Sequence, residues 1–190
     1  MFRPILALAF GLTIAVPALA QSQKADNDQD KKLDIRSNVG DLHVGTDADA
    51  KKAGLPLYPG ARLRHDEENS SAFNLGILTE AFGVKLVIAK YDSDDAPEKI
   101  VSYYRERLKK YGKVLECHTR EHSSDSHPDV SDDEHSKELK CEGDNAGPVT
   151  ELKVGTEDNE HVVAVEPNGG HNGSTFALVY MHARGKQGDI

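Results

Sequence analysis

The chain has 190 residues, enough for one domain or two small ones. It is 37% hydrophobic and 29% charged, with 16 Gly, 8 Pro, 2 Cys and no Trp, which excludes a polytopic membrane protein, a collagen-like fibre and a disulfide-dense miniprotein. With 32 acidic against 23 basic side chains the formal charge is −9, so the basic footprint that phosphate recognition needs is missing and no nucleic-acid partner is expected.

Residues 1–20 open with Arg3, run apolar from Ile5 to Val16, break at Pro17 and end in Ala18-Leu19-Ala20. That is the pattern of a cleavable secretory signal, and the run is shorter than the roughly 20 residues a bilayer span takes. No later stretch is apolar enough to span a membrane after cleavage. Residues 21–32 are polar and read as a disordered leader. Leu33–Ser37 and Leu42–Thr46 alternate as two strands around a turn at 38–41. A loop or single helical turn over 46–54 follows, then an extended arm through Leu55-Pro56-Leu57-Tyr58 that turns at Pro59-Gly60. Tyr58, Leu55 and Leu57 are expected to pin this arm to the core. Arg62–Asp66 and Ala72–Thr79 read as a hairpin around the polar loop 65–71. Val84–Tyr91 is a strand, with Val84, Leu86 and Ile88 on one face and Lys85, Val87, Ala89 and Tyr91 on the other.

Asp95–Tyr111 is the principal helix. Asp95 is the expected N-cap, with Glu98 three residues on and Pro97 in the first turn. Ile100, Tyr104, Leu108 and Tyr111 form its apolar stripe, and Gly112 is its stop. Strands over Lys113–Thr119, Lys137–Glu142, Val149–Thr156, His161–Glu166 and Ser174–His182 complete the chain, and Phe176–Met181, apolar on both faces, belongs inside the sheet. Leu42–Asp47 echoes Leu152–Glu157, which reads as two strand ends leaving through similar Gly-Thr turns. The expected fold is α+β: an antiparallel sheet with one principal helix packed on a face, spanning 33–184 as a single domain, with a tail at 185–190.

Three stretches together are familiar: Gly54-Leu55-Pro56-Leu57-Tyr58-Pro59-Gly60-Ala61, then Asp94–Tyr104, then Lys110–Leu115. Their order resembles a group of uncharacterised exported bacterial proteins, a domain of unknown function. That group has a YPGA turn, a β-hairpin and a D-x-P-E-x-V-x-x-F-Y helix ending in Gly. Tyr103 stands where the group often has Phe. The resemblance implies an α+β domain in a Gram-negative envelope and implies no reaction.

Cys117 and Cys141 lie outside the signal, and an exported chain with an even cysteine count is expected to join them in a disulfide. Between them, His118, His122, His127 and His135 stand among Glu121, Asp125, Asp129, Asp132, Asp133 and Glu134, inside a polar segment over 119–136. Imidazole and carboxylate are ligands for Zn²⁺, Cu²⁺ or Ni²⁺. Ser, Asp and Pro128 equally describe a solvated, disordered excursion without the tight spacing of a structural site. No Gly-x-Ser-x-Gly elbow and no H-E-x-x-H occurs. Gly169-Gly170-His171-Asn172-Gly173 joins two strands and reads as a turn. The reading that follows is an exported, non-catalytic envelope module, periplasmic or secreted, that binds an envelope component, protein or polymer. The alternatives are a periplasmic transition-metal protein using the His/Asp segment, and an enzyme whose site assembles only in three dimensions.

Overall fold

A computed structural model describes residues 32–64, 71–120, 138–141, 143–169 and 173–185. Its strands are β1 (Lys32–Ser37), β2 (Gly40–Gly45), β3 (Arg62–Leu63), β4 (Ala72–Thr79), β5 (Phe82–Ser93), β6 (Leu115–Thr119), β7 (Val149–Thr156), β8 (Asn159–Pro167) and β9 (Ser174–Gly185). They form one antiparallel sheet in the order β1-β2-β4-β5-β9-β8-β7-β6, with β3 paired to β5. The helix α1 (Pro97–Leu108) packs on one face, over β7 and β8. This is the α+β architecture read from the sequence. The first strand starts at Lys32 and the last ends at Gly185, one residue outside the expected domain at each end. β9 lies between β5 and β8, so Phe176–Met181 is inside the sheet as expected.

The expected hairpin between 62–66 and 72–79 does not form. Arg62 and Leu63 pair with Asp92 and Tyr91 of β5, while Ala72 begins the β4 pairing at Ala89. Between them, the Arg64 N–H donates to the Lys90 carbonyl at 3.0 Å and the Lys90 N–H donates to the Ser71 carbonyl at 2.8 Å. β3 and β4 therefore occupy one lane beside β5, one after the other. Both strands run the same way in that one lane against β5, so they do not form an antiparallel hairpin with each other.

The helix also departs from expectation at its start. Ala96 is the N-cap, in extended geometry and with no side-chain cap, and Pro97 takes the first helical position. Asp95 is turned elsewhere: its carboxylate accepts from the Tyr58 hydroxyl at 2.9 Å and pairs with Lys99 at 2.6 Å. Lys99 and then Tyr58 hold that carboxyl below the usual carboxylate range. Ile100, Val101, Tyr104 and Leu108 bury the helix stripe, and a 3₁₀ turn over Lys109–Tyr111 leads to Gly112 at φ 143°. Against them lie Val87, Ala89, Tyr91, Leu152, Val154, Val163, Val165, Phe176 and Leu178. Each such aliphatic side chain contributes about 1.5–3 kcal/mol on leaving water.

The 55–61 arm is held as expected at Leu55 and Tyr58, whereas Leu57 is 45% exposed. Tyrosine hydroxyls tie the arm down: Tyr103 donates to Leu57, Tyr104 to Pro56 and Tyr111 to Gly54 carbonyls. Cys117 and Cys141 are joined, with Cα atoms 5.4 Å apart. Residues 138–141 are not a strand, contrary to the expectation for Lys137–Glu142. The disulfide fixes Cys141 beside β6 without a ladder of its own.

Candidate functional site

The pleat of β5 divides the sheet into two unlike faces. Val87, Ala89 and Tyr91 point to the helix and are buried, while Val84, Leu86 and Ile88 point away and are half-buried. Register carries the second set across the sheet. Leu86 opposes Leu75 on β4 and Met181 on β9, and Leu75 opposes Val44, which opposes Leu33 on β1. Val84 opposes Ile77, which leads through Leu42 to Ile35. Ile88 opposes Phe73 on one side and Val179 on the other, and Val179 opposes Val162. These rows make one apolar surface from β1 to β8. Among the described residues no helix or strand packs on it. At its β1 rim Leu33 and Ile35 are 51% and 48% exposed. Toward β7 it gives way to a buried ion pair, Lys153 with Glu151 at 3.3 Å, beside the disulfide.

A second feature lies on the helix face, beyond the reach of α1. Two rows cross the sheet there: Asp34, His43, Gly76, Lys85 and His182, then Arg36, Asp41, Leu78, Gly83 and Arg184. They line a cleft of about 310 Å³. Its floor is low because of Gly76 and Gly83, and the Arg184 side chain lies over Gly83, where a Cβ would stand 2.8 Å from Nε. His43 is the centre of a hydrogen-bonded chain. Its Nδ1–H donates to Asp34 at 2.6 Å, and the Asn74 amide donates to Nε2 at 3.1 Å. Asn74 also reaches Asp47, which pairs with Lys52. Lys52 first, and Asn74 after it, pull the Asp47 carboxyl down to about 2. The Asp34–His43 pair has the outline of an oriented base. The Nε2 lone pair accepts from the Asn74 amide, so a substrate proton would have to displace that amide to reach it.

The residues singled out from sequence fall elsewhere. His118 sits on β6, its N–H held by Asn145 at 2.7 Å, its Nδ1 3.5 Å from the Thr150 hydroxyl and its Nε2 3.9 Å from Glu116. His122, His127 and His135 lie outside the described residues. Among the described residues no three His, Cys, Asp or Glu side chains gather in a way that holds a metal ion. The Asp34–His43–Asn74–Asp47 chain is not legible in sequence because it forms only through the β1–β2–β4 register, which brings Asn74 of β4 to His43 of β2; alternation in β1 and β2 marks no more than the faces of Asp34 and His43. The titrating tyrosines and the buried histidine have structural partners. Burial pushes the Tyr104 hydroxyl up, and it donates to Pro56; burial pushes His161 down, and its Nδ1 bonds the Ala53 carbonyl at 3.0 Å.

No family model matches the chain, and no curated protein or solved structure matches it. Function rests on the two faces themselves.

Proposed function

We propose that this chain is an exported, non-catalytic envelope module that binds the apolar surface of a protein partner through the sheet face opposite α1. One observation carries the reading: the unbroken apolar surface running from Leu33 through Leu75 and Leu86 to Val162, with no helix or strand on it among the described residues. Contiguous exposed apolar surface is kept out of water on a soluble chain unless something binds it. A broad sheet face suits a protein surface better than a small molecule, which takes a concave, enclosed site. Export is supported by the signal-like residues 1–20 and by the Cys117–Cys141 pair, since disulfides persist in oxidising compartments.

The probe is 1-anilinonaphthalene-8-sulfonate, titrated into oxidised residues 21–190 and into a Leu86→Glu/Val179→Glu variant. Both side chains are half-buried on the apolar face, so the variant keeps its helix-side core and loses about 1 kcal/mol. Saturable dye fluorescence with the native chain, abolished in the folded variant, is the expected result. Equal fluorescence from both, or none from either, contradicts the reading.

A further inference from the structure

We infer that two copies of this chain associate through β1, edge to edge, into one continuous antiparallel sheet. The two outer edges of the sheet differ. Along β6 the edge is occupied: Asn145 takes the His118 N–H, Cys141 is bonded to Cys117, and a Cβ on Gly147 would stand 1.9 Å from the Thr119 carbonyl oxygen. Along β1 the chain pairs with β2 on one side and, among the described residues, with nothing on the other. Every residue from Lys32 to Ser37 is exposed. A bare edge with free N–H and C=O groups is a template for a further strand.

The sequence of β1, Lys-Leu-Asp-Ile-Arg-Ser, selects a second copy of itself. A two-fold axis normal to the sheet sets β1 antiparallel to its copy with the same face up, so each residue opposes one of the same parity. Two registers keep most of the strand paired. Centred on Asp34, one opposes Asp34 to Asp34 and Lys32 to Arg36, which is like charge against like. Centred on Ile35, the other opposes Asp34 to Arg36 of the second copy, twice by symmetry, Ile35 to Ile35 and Leu33 to Ser37. Opposite charges directly across an antiparallel pair stabilise it and like charges destabilise it, so the pattern specifies the second register. The Asp34 carboxylate also holds Lys32 and His43 within its own chain, and at 45% exposure it remains open to a second cation. Arg36 forms no ion pair among the described residues. The assembly leaves both helices on one side and joins the two apolar faces on the other. It does not depend on what those faces bind.

The test is sedimentation velocity of oxidised residues 21–190 over a concentration series, with Arg36→Asp and Asp34→Arg as separate variants and with the two mixed. The native chain is expected to shift from monomer to dimer with rising concentration. Each single variant opposes like charges twice and weakens association about tenfold or more. In the equimolar mixture every opposed pair is Asp against Arg, so a heterodimer of native affinity returns. Ile35→Lys, at an exposed position, gives a second monomeric variant should either charge change disturb folding, which circular dichroism and the melting temperature report. A native chain that stays monomeric, single variants that associate as the native chain does, or a mixture that stays monomeric overturns the proposal. Leu86→Glu/Val179→Glu leaves the association unchanged, which separates this interface from partner binding on the apolar face.

Discussion

His161 is the residue whose environment most directly sets a pH dependence. It is 7% exposed, held between the Tyr111 and Tyr180 rings at centroid distances of 3.9 and 4.7 Å, with Ala53 accepting from Nδ1. Burial lowers its pKa, with the Ala53 carbonyl partly opposing that shift. The neutral ring is the folded form, so its contribution is complete above the unfolded value of about 6.5 and declines as pH falls below it. The melting temperature of the native chain should therefore drop between about pH 7 and pH 5, and His161→Phe should flatten that interval, as scanning calorimetry at both pH values would show. Gly155 makes a second prediction. Its φ is 115°, and a Cβ would stand 2.1 Å from the Asn159 carbonyl oxygen. Gly155→Ala should lose about 2 kcal/mol or more in urea unfolding, because neither the backbone nor the contact can relax cheaply. Gly45, its counterpart in the sequence echo, would meet side chains alone, Asp47 at 2.8 Å and His43 at 3.5 Å, so the two Gly-Thr strand ends are alike in letters and unlike in backbone demand.

At the scale of elements, the sequence was legible wherever a single period dominated. Alternation located β1, β2 and β5, the turns between them bounded β7, β8 and β9, and the stripe Ile100, Tyr104, Leu108 located α1. Pairing was less legible. Nothing in Arg62–Leu63 says whether it partners the strand after it or the one beyond, and the choice of β5 is settled by lane geometry around Lys90. The helix cap failed for a tertiary reason, since Asp95 serves Tyr58 and Lys99 instead. An uncapped start leaves room for improvement: Ala96→Ser should stabilise the domain by about 1 kcal/mol, read as a rise in the urea midpoint at unchanged slope. Cys141 is tied covalently to β6 through Cys117. Replacing both Cys117 and Cys141 by Ser should cost about 3 kcal/mol, and it should also expose the β6 edge that Asn145 and Gly147 cover.

For the molecule as a whole, composition marks an acidic chain and the run of strands around one helix marks the α+β class, and strand patterning already holds the larger fact that β4, β5 and β9 are apolar on the side the helix does not use. That fact is hard to see in sequence because a strand apolar on both faces ordinarily means a sheet covered on both faces. Here a single helix is available among the described residues, and it covers β7 and β8. The histidines between the cysteines stand out by composition alone, whereas the polar cleft and the apolar face exist only through pairing register. The measurement that tests the central claim most directly is site-specific photo-crosslinking in the producing cell. A benzophenone side chain would be placed in turn at Leu75, Leu86 and Val179 on the apolar face, and at Ser102 and Glu106 on the exposed side of α1. The account predicts one discrete protein adduct shared by the three sheet positions and absent from the two helix positions. Adducts at the helix positions with none at the sheet positions, or no adduct at any of the five, would contradict it.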